Sequence, residues 1–508
     1  MNKLKFALLL PIIFLSISSC SLFKEPEEKD IDKTKLNYTY QDYAKNSYYE
    51  LSVCPSKGNV EILVIPVWFT DSSNYIVDSE SKQNVWEDIY DSFNAKDTSL
   101  GWYSVSSYYN EESKDKLSLF ATLSEWYECE KATSVFARSN SATANLTLEV
   151  VEWYFSTHND SRKKYDSDGD GYLDAVALIY GAPDYVSLGE ANQTNLWAYT
   201  SWLTDTSLKD EEKPGVNVFL WSSYDFMYSA KTAFGRAGSY YGKGETIHTR
   251  IDSHTFIHEM GHVFGLEDYY DYSDNGYTPA GCFSMQDYNI GGHDPFSTIA
   301  LGWANPYVPT ESMTLTIKDF QSSHDVILLA SHNVTSPFDE YMLIELYTPN
   351  GLNDFDSRYQ YGHYPKGPVY PGIRLWHVDA RLLYVNNPSR VSDKNLTDNP
   401  LTNMGSVLNA FSNSYSRTNG SVLGQINPRY YDYNTLQLIR GRSKQTYRPN
   451  DNLTNGNMLQ KGDSYDQKSF KDQFVNQEYL NDETELGWTF KIKDIKSNSA
   501  TITLYKTK

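Results

Sequence analysis

Residues 59–71, NVEILVIPVWFTD, are almost continuously apolar and rich in β-branched side chains, the pattern of a strand covered on both faces. The period then changes. In KQNVWEDIYDSFNA (82–95), Val85, Ile89, Tyr90 and Phe93 recur at helical spacing, which predicts an amphipathic helix. A short helix leading into a strand is expected within SVSSYYNEESKDKLSLFATLSEWYE (104–128), and another helix over TANLTLEVVEWYFST (143–157). LDAVALIYGAP (173–183) reads as a second buried strand closed by a Gly and Pro turn signal. After residue 306 the texture becomes alternating, in MTLTIKDF, DVILLAS, EYMLIELYT, GIRLWHVD, GWTFKIKDI and SATITLYK. Alternation with period two predicts strands. Between about 395 and 467 Asn, Ser, Tyr, Asp and Gly crowd the chain, so long loops or an insertion are expected there. The reading is an α+β protein, with a mixed domain over 58–310 followed by a mostly β domain over 311–508.

The ends and the composition add constraints. A chain of 508 residues exceeds the roughly 250–300 residues that one core serves, so more than one domain is expected. Lys3 and Lys5 precede a short apolar run and then ISSC, which reads as a signal over 1–19 with lipidation at Cys20. Residues 20–57, polar and without an apolar period, read as a tether from a bacterial membrane, placing the protein lipid-anchored on the cell surface, from which it can be shed. A net charge of −21 argues against nucleic acid as a partner and favours divalent cations. Cys54, Cys129 and Cys282 are too few and too scattered for a disulfide scaffold. Cys54 reads as a loop residue or disulfide partner rather than a thiolate for a metal. A monomer is expected.

The stretch SHTFIHEMGHVFGLEDYYD (253–271) packs three histidines, four acidic residues and two glycines into nineteen positions. On a helix capped by Asp252 or Ser253, His258 and His262 share one face four residues apart, a spacing at which two imidazoles reach one ion. Glu259 lies beside them as a candidate general base. Gly265 supplies a helix stop tolerant of positive φ, and Asp268 follows three residues on. The pattern HExxHxxGxxD is an extended zincin motif in which a carboxylate stands for the third histidine. A zinc ion held by His258, His262 and Asp268 would keep one position for water. Glu267 and Asp271 are spare candidates for the third ligand, and His254 reads as a packed residue.

Further on, GCFSMQDYN (281–289) places Met285 after a turn, where extended zincins carry a methionine turn beneath the metal. Tyr288, three residues later, is a candidate donor to an oxyanion. Separately, DSDGDGYLD (166–174) sets Asp166, Asp168, Asp170, the Tyr172 carbonyl and Asp174 at positions one, three, five, seven and nine of an EF-hand-like loop, with Gly171 at the sharp turn. Position twelve is Ala177, so the set is incomplete. Calcium is expected there, bracing the strand that follows.

With ILVIPVWFTD, SVSSYYNEESKDKLSL, YDSDGDGYLDAVALIYGAP, HEMGHVFGLEDYYD and FSMQDYNIGGHDPFSTIALGWANP in view, the chain resembles the immune inhibitor A type of secreted bacterial zinc metallopeptidase. EYMLIELY and GIRLWHVD extend the likeness, which spans roughly residues 58–382. The resemblance implies a metzincin-like catalytic domain with the ion in a cleft, endopeptidase activity on protein or peptide substrates, His258, His262 and Asp268 as ligands and Glu259 as base. Nothing carries over to the Asn- and Tyr-rich stretch after about 383. A rival is an adhesion or ligand-binding lipoprotein, stabilised by calcium, on an idle zincin scaffold. The retained Glu259 argues against it, since an idle site needs no base.

Overall fold

The computed structural model describes residues 25–507 apart from 50, 97–101, 229–250, 273–277, 362–363, 386–395, 398–405, 415–422, 425–426 and 448–454. The signal at 1–19 and Cys20 lie outside the described residues. About 26% of the chain is helical and 25% is in strands spread over several sheets, so the fold is a mixed α/β one.

The apolar run at 59–71 becomes β1 (Gly58–Trp68), in the interior of the largest sheet. It pairs in parallel with β2 (Leu117–Leu123) on one side and with β5 (Val176–Tyr180) on the other; β3 (Tyr127–Glu128) also pairs with its end. Beyond β5 comes β8 (Val218–Ser223), again parallel, and then β6 (Tyr199–Trp202), antiparallel, which ends the sheet. The near-continuous apolar character of β1 follows from its two covered faces. Val60, Ile62 and Val64 share a core with helices α2 (Ser79–Asn94), α3 (Val105–Glu112) and α5 (His254–Val263). Leu63, Ile65 and Val67 face the opposite core, which holds α4 (Asn140–Thr157). In α2 the residues Val85, Ile89 and Phe93 are buried as expected, whereas Tyr90 is exposed, being one position off the buried stripe.

After residue 310, β10 (Val326–Leu329), β11 (Glu340–Tyr347), β12 (Gly372–Asp379) and β16 (Leu436–Ile439) form one antiparallel sheet. Its period-two alternation serves two cores. Tyr341, Leu343, Trp376 and Val378 join the core of α5, while Met342, Ile344, Ile373 and Leu375 join a second core. That second core is completed by a sheet in the order β17 (Ser464–Tyr465), β18 (Trp488–Ile495), β19 (Ser499–Lys506) and β9 (Met313–Lys318). A smaller sheet of β13 (Leu382–Val385), β14 (Leu396–Thr397) and β15 (Ser406–Asn409) stands beside them.

The expected tether needs correction. From residue 25 onward the segment lies along the folded body. Glu28 bridges to Thr314 of β9, and the Thr34 N–H donates to the Pro306 carbonyl at 2.7 Å. Helix α1 (Tyr40–Asn46) is opened by a Thr39–Asp42 capping box and buries Tyr40 and Ala44. Tyr38 and Tyr40 pack edge-on against Phe338, with ring centroids 5.5 and 5.1 Å apart. The misreading has a physical cause: this segment's apolar side chains, aromatic and aliphatic, are spaced to fit grooves shaped by other elements, so they carry no helix or strand period. Cys54, Cys129 and Cys282 are all buried.

Candidate metal centre

Helix α5 presents His258 and His262 one turn apart, and its end decides where the chain goes next. The Gly265 N–H donates to the His262 carbonyl at 2.8 Å and the Leu266 N–H to the Gly261 carbonyl at 3.1 Å, a Schellman arrangement with Gly265 at φ +101°. A side chain at 265 would be strained by that φ and would meet the Tyr40 ring at 3.3 Å. The reversal returns the chain to the helix face. Asp268 Oδ1 then sits 3.0 Å from His258 Nε2 and 3.2 Å from His262 Nε2, and the two Nε2 atoms are 3.2 Å apart.

Hydrogen bonds on the far side of each ring set its tautomer. His258 Nδ1 lies 2.8 Å from the Met285 carbonyl and His262 Nδ1 lies 2.8 Å from the Leu266 carbonyl. Carbonyls accept, so each Nδ1 carries the proton and each Nε2 turns a lone pair toward the other and toward Asp268. Asp268 Oδ1 is buried and has no hydrogen-bond donor. Three electron-rich atoms thus face one point. Donors on a single tetrahedral zinc at bond lengths near 2.0–2.2 Å stand about 3.3 Å from one another, so this set fits the ion. The electrostatics express the same demand for positive charge. Burial opposes charge on all three groups, yet protonated rings hold Asp268 below the usual carboxylate range, and Asp268 pushes His262 up to about 10 and raises His258, so protons compete with a cation for the same lone pairs.

Glu259 points into the same cleft, of about 1230 Å³. Burial raises its pKa, partly offset by the two imidazoles. Met285 is fully buried and, beyond packing, its carbonyl orients His258. Gln286 lies flat on the helix: its Nε2 donates to the His258 carbonyl at 3.2 Å, and a Cβ at Gly261 would fall 2.1 Å from its Oε1. That contact explains the glycine between the two ligands. Tyr288 lines the cleft with its ring stacked on Tyr270 at 4.7 Å. His254 stacks on Trp102 and lies outside the ligand group, and Glu267 is engaged by Asn409. Cys54 is likewise apart from the ion site, its N–H bonded to the Val263 carbonyl at 2.9 Å.

Against known proteins, the chain matches no family model and no curated protein. Several residues of the site carried no sequence signal. Tyr272 donates its hydroxyl to Asp268 Oδ2, and Thr200 of β6 contacts Glu259. Tyr43, Leu51 and Val53, from the supposed tether, form cleft wall, as do Leu408, Phe411 and Ser412 from the Asn- and Tyr-rich stretch.

In the acidic loop, Asp166, Asp168 and Asp174 bring one oxygen each within 4.8 Å of one another. Gly171 takes φ +88° at the turn. Asp170 stands outside this group. Its Oδ1 accepts the Tyr172 N–H at 2.9 Å and its Oδ2 accepts the Ser52 hydroxyl at 2.9 Å. The Asp174 carboxylate is buried, which pushes its pKa up to about 8, and both its oxygens accept the Ser167 N–H.

Proposed function

We propose that the protein is a zinc-dependent endopeptidase of zincin-like architecture, acting on protein or peptide substrates. The observation that carries the reading is the convergence of two imidazole lone pairs and an unpartnered carboxylate oxygen on one point, with Glu259 in the same cleft. His258, His262 and Asp268 would hold the ion, and a bound zinc ion supplies Lewis acidity, bringing water's pKa toward about 7 and polarising a peptide carbonyl. Glu259 accepts a proton from the attacking water and returns it to the leaving amine. The antiparallel strand β6 supports an extended substrate in the cleft, because Ala198, Tyr199, Thr200 and Trp202 line it and a terminal strand offers backbone groups for pairing. Cleavage of casein or a peptide library is expected to stop with a chelator and return with added zinc. Cleavage that persists in a metal-stripped protein, or tight ligand binding without any cleavage, would overturn the reading, the latter in favour of the adhesion alternative.

The acidic loop is assigned to calcium on the three converging carboxylates and the paired turn glycines, Gly169 and Gly171, both at positive φ. Its role is to neutralise the buried Asp174, which directly follows β4 (Tyr172–Leu173), the strand paired with β7 (Gly215–Val216), and precedes β5. Calcium is expected to raise the thermal midpoint of the wild type by several degrees and that of Asp174→Asn far less, as a ligand binding only the native state must. Equal shifts in both proteins would place the ion elsewhere.

A further inference from the structure

We infer that Thr200 is the positioning residue for the general base, tying strand β6 to the Glu259 side chain; this rests on the peptidase reading above. Thr200 stands opposite Leu220 in the antiparallel pairing of β6 with β8. Alternation along β6 sends its neighbour Tyr199 to the face where Phe219 lies, in the core of α4, with ring centroids 6.4 Å apart. Thr200 turns the other way, toward α5. Its Oγ1 lies 2.9 Å from the main-chain carbonyl of Glu259 and 3.3 Å from Glu259 Oε2.

Among the described residues, Thr200 supplies the one side-chain hydrogen bond to that carboxylate. The consequence is conformational. A glutamate has three side-chain torsions and loses rotamer freedom when held in one geometry. A base with no partner samples several orientations, and those in which the carboxylate cannot reach the water do no work. The single proton of the Thr200 hydroxyl is shared between two acceptors of the same residue, the Glu259 main-chain carbonyl at 2.9 Å and, as the longer arm, its Oε2 at 3.3 Å, so it limits the swing of the side chain relative to the helix that carries it. β6 is itself held at its end, where the Trp202 indole donates to the Ser52 carbonyl at 2.8 Å. The hydroxyl is thereby presented from a supported strand rather than from a loop.

The test compares Thr200→Val, which keeps the shape and removes the hydroxyl, with Thr200→Ser, which keeps the hydroxyl, on a peptide that the wild type cleaves. Thr200→Val is expected to lower kcat about 10- to 100-fold, a fraction of what a general base contributes, with KM changed less than about 2-fold. Zinc content by elemental analysis should match the wild type, and Thr200→Ser should recover most of kcat. Should the valine variant fail to fold, Thr200→Ala replaces it. An unchanged kcat in a folded, zinc-loaded valine or alanine variant overturns the inference, as does a rise in KM alone or a loss of zinc. A wild type that cleaves nothing overturns the peptidase reading and this role together, whereas an active wild type matched by Thr200→Val overturns this role alone.

Discussion

Glu259→Ala is expected to lower kcat/KM by about 10²- to 10⁴-fold on every peptide the wild type cleaves, with zinc still bound. The ion is retained because the three donor atoms belong to other residues, and their orienting hydrogen bonds run to the Met285 and Leu266 carbonyls and from Tyr272. The fold is retained because Glu259 points into the cleft and holds no core position. What is lost is a carboxylate whose affinity for protons is raised by burial, so that it takes a proton from water more readily than an exposed glutamate would. His262→Ala separates the two roles: it removes a ligand and is expected to abolish both cleavage and zinc retention. Glu259→Ala cleaving at the wild-type rate, with zinc content equal in both, would remove the base from the mechanism.

A chain beginning at Gly58, the point where the hydrophobic pattern first becomes regular, is expected not to fold. Leu36, Tyr38, Tyr40 and Cys54 are buried in the same core as α5, and burying a large apolar side chain contributes about 1.5–3 kcal/mol. Several such losses approach the whole stability of a typical domain, about 5–15 kcal/mol. Polar ties are lost as well. The Ser52 N–H donates to Asn217 Oδ1 at 2.9 Å, the Trp303 indole to the Ser56 carbonyl at 2.6 Å, and Gln41 Nε2 to Asp168 Oδ2 at 2.8 Å. The Trp303 indole and the Asn217 amide oxygen would be left bare in or beside the core, each costing about 1–3 kcal/mol. Circular dichroism and a thermal melt of the shortened chain decide the matter: a cooperative transition near that of the full chain, with cleavage intact, would restore the segment to a tether.

Legibility in the sequence followed the range of the interactions involved. The ligand group was readable because its parts lie within eleven residues, on a helix and one turn, where spacing alone fixes direction: residues four apart share a face, and a glycine at positive φ reverses the chain. The strands were readable because burial imposes period two or an unbroken apolar run. Thr200, Tyr272 and the cleft wall were not. A threonine in YTSW has the same local pattern whether it faces solvent or a glutamate of the cleft fifty-nine residues later. Tyr43 and Leu51 are two among many residues of a polar segment until α5, β6 and β15 stand around them.

Local periodicity and motif spacing therefore set the element types and the two-histidine, one-carboxylate group, since these depend on backbone geometry within a turn or two. Tertiary packing alone decided that residues 25–57 belong to the body, that the sheet of β10, β11, β12 and β16 serves two cores, and which distant hydroxyls meet the site. The physical reason is that a hydrogen bond or a buried ring answers to position in space, which a chain of this length settles by closing loops that no local pattern records.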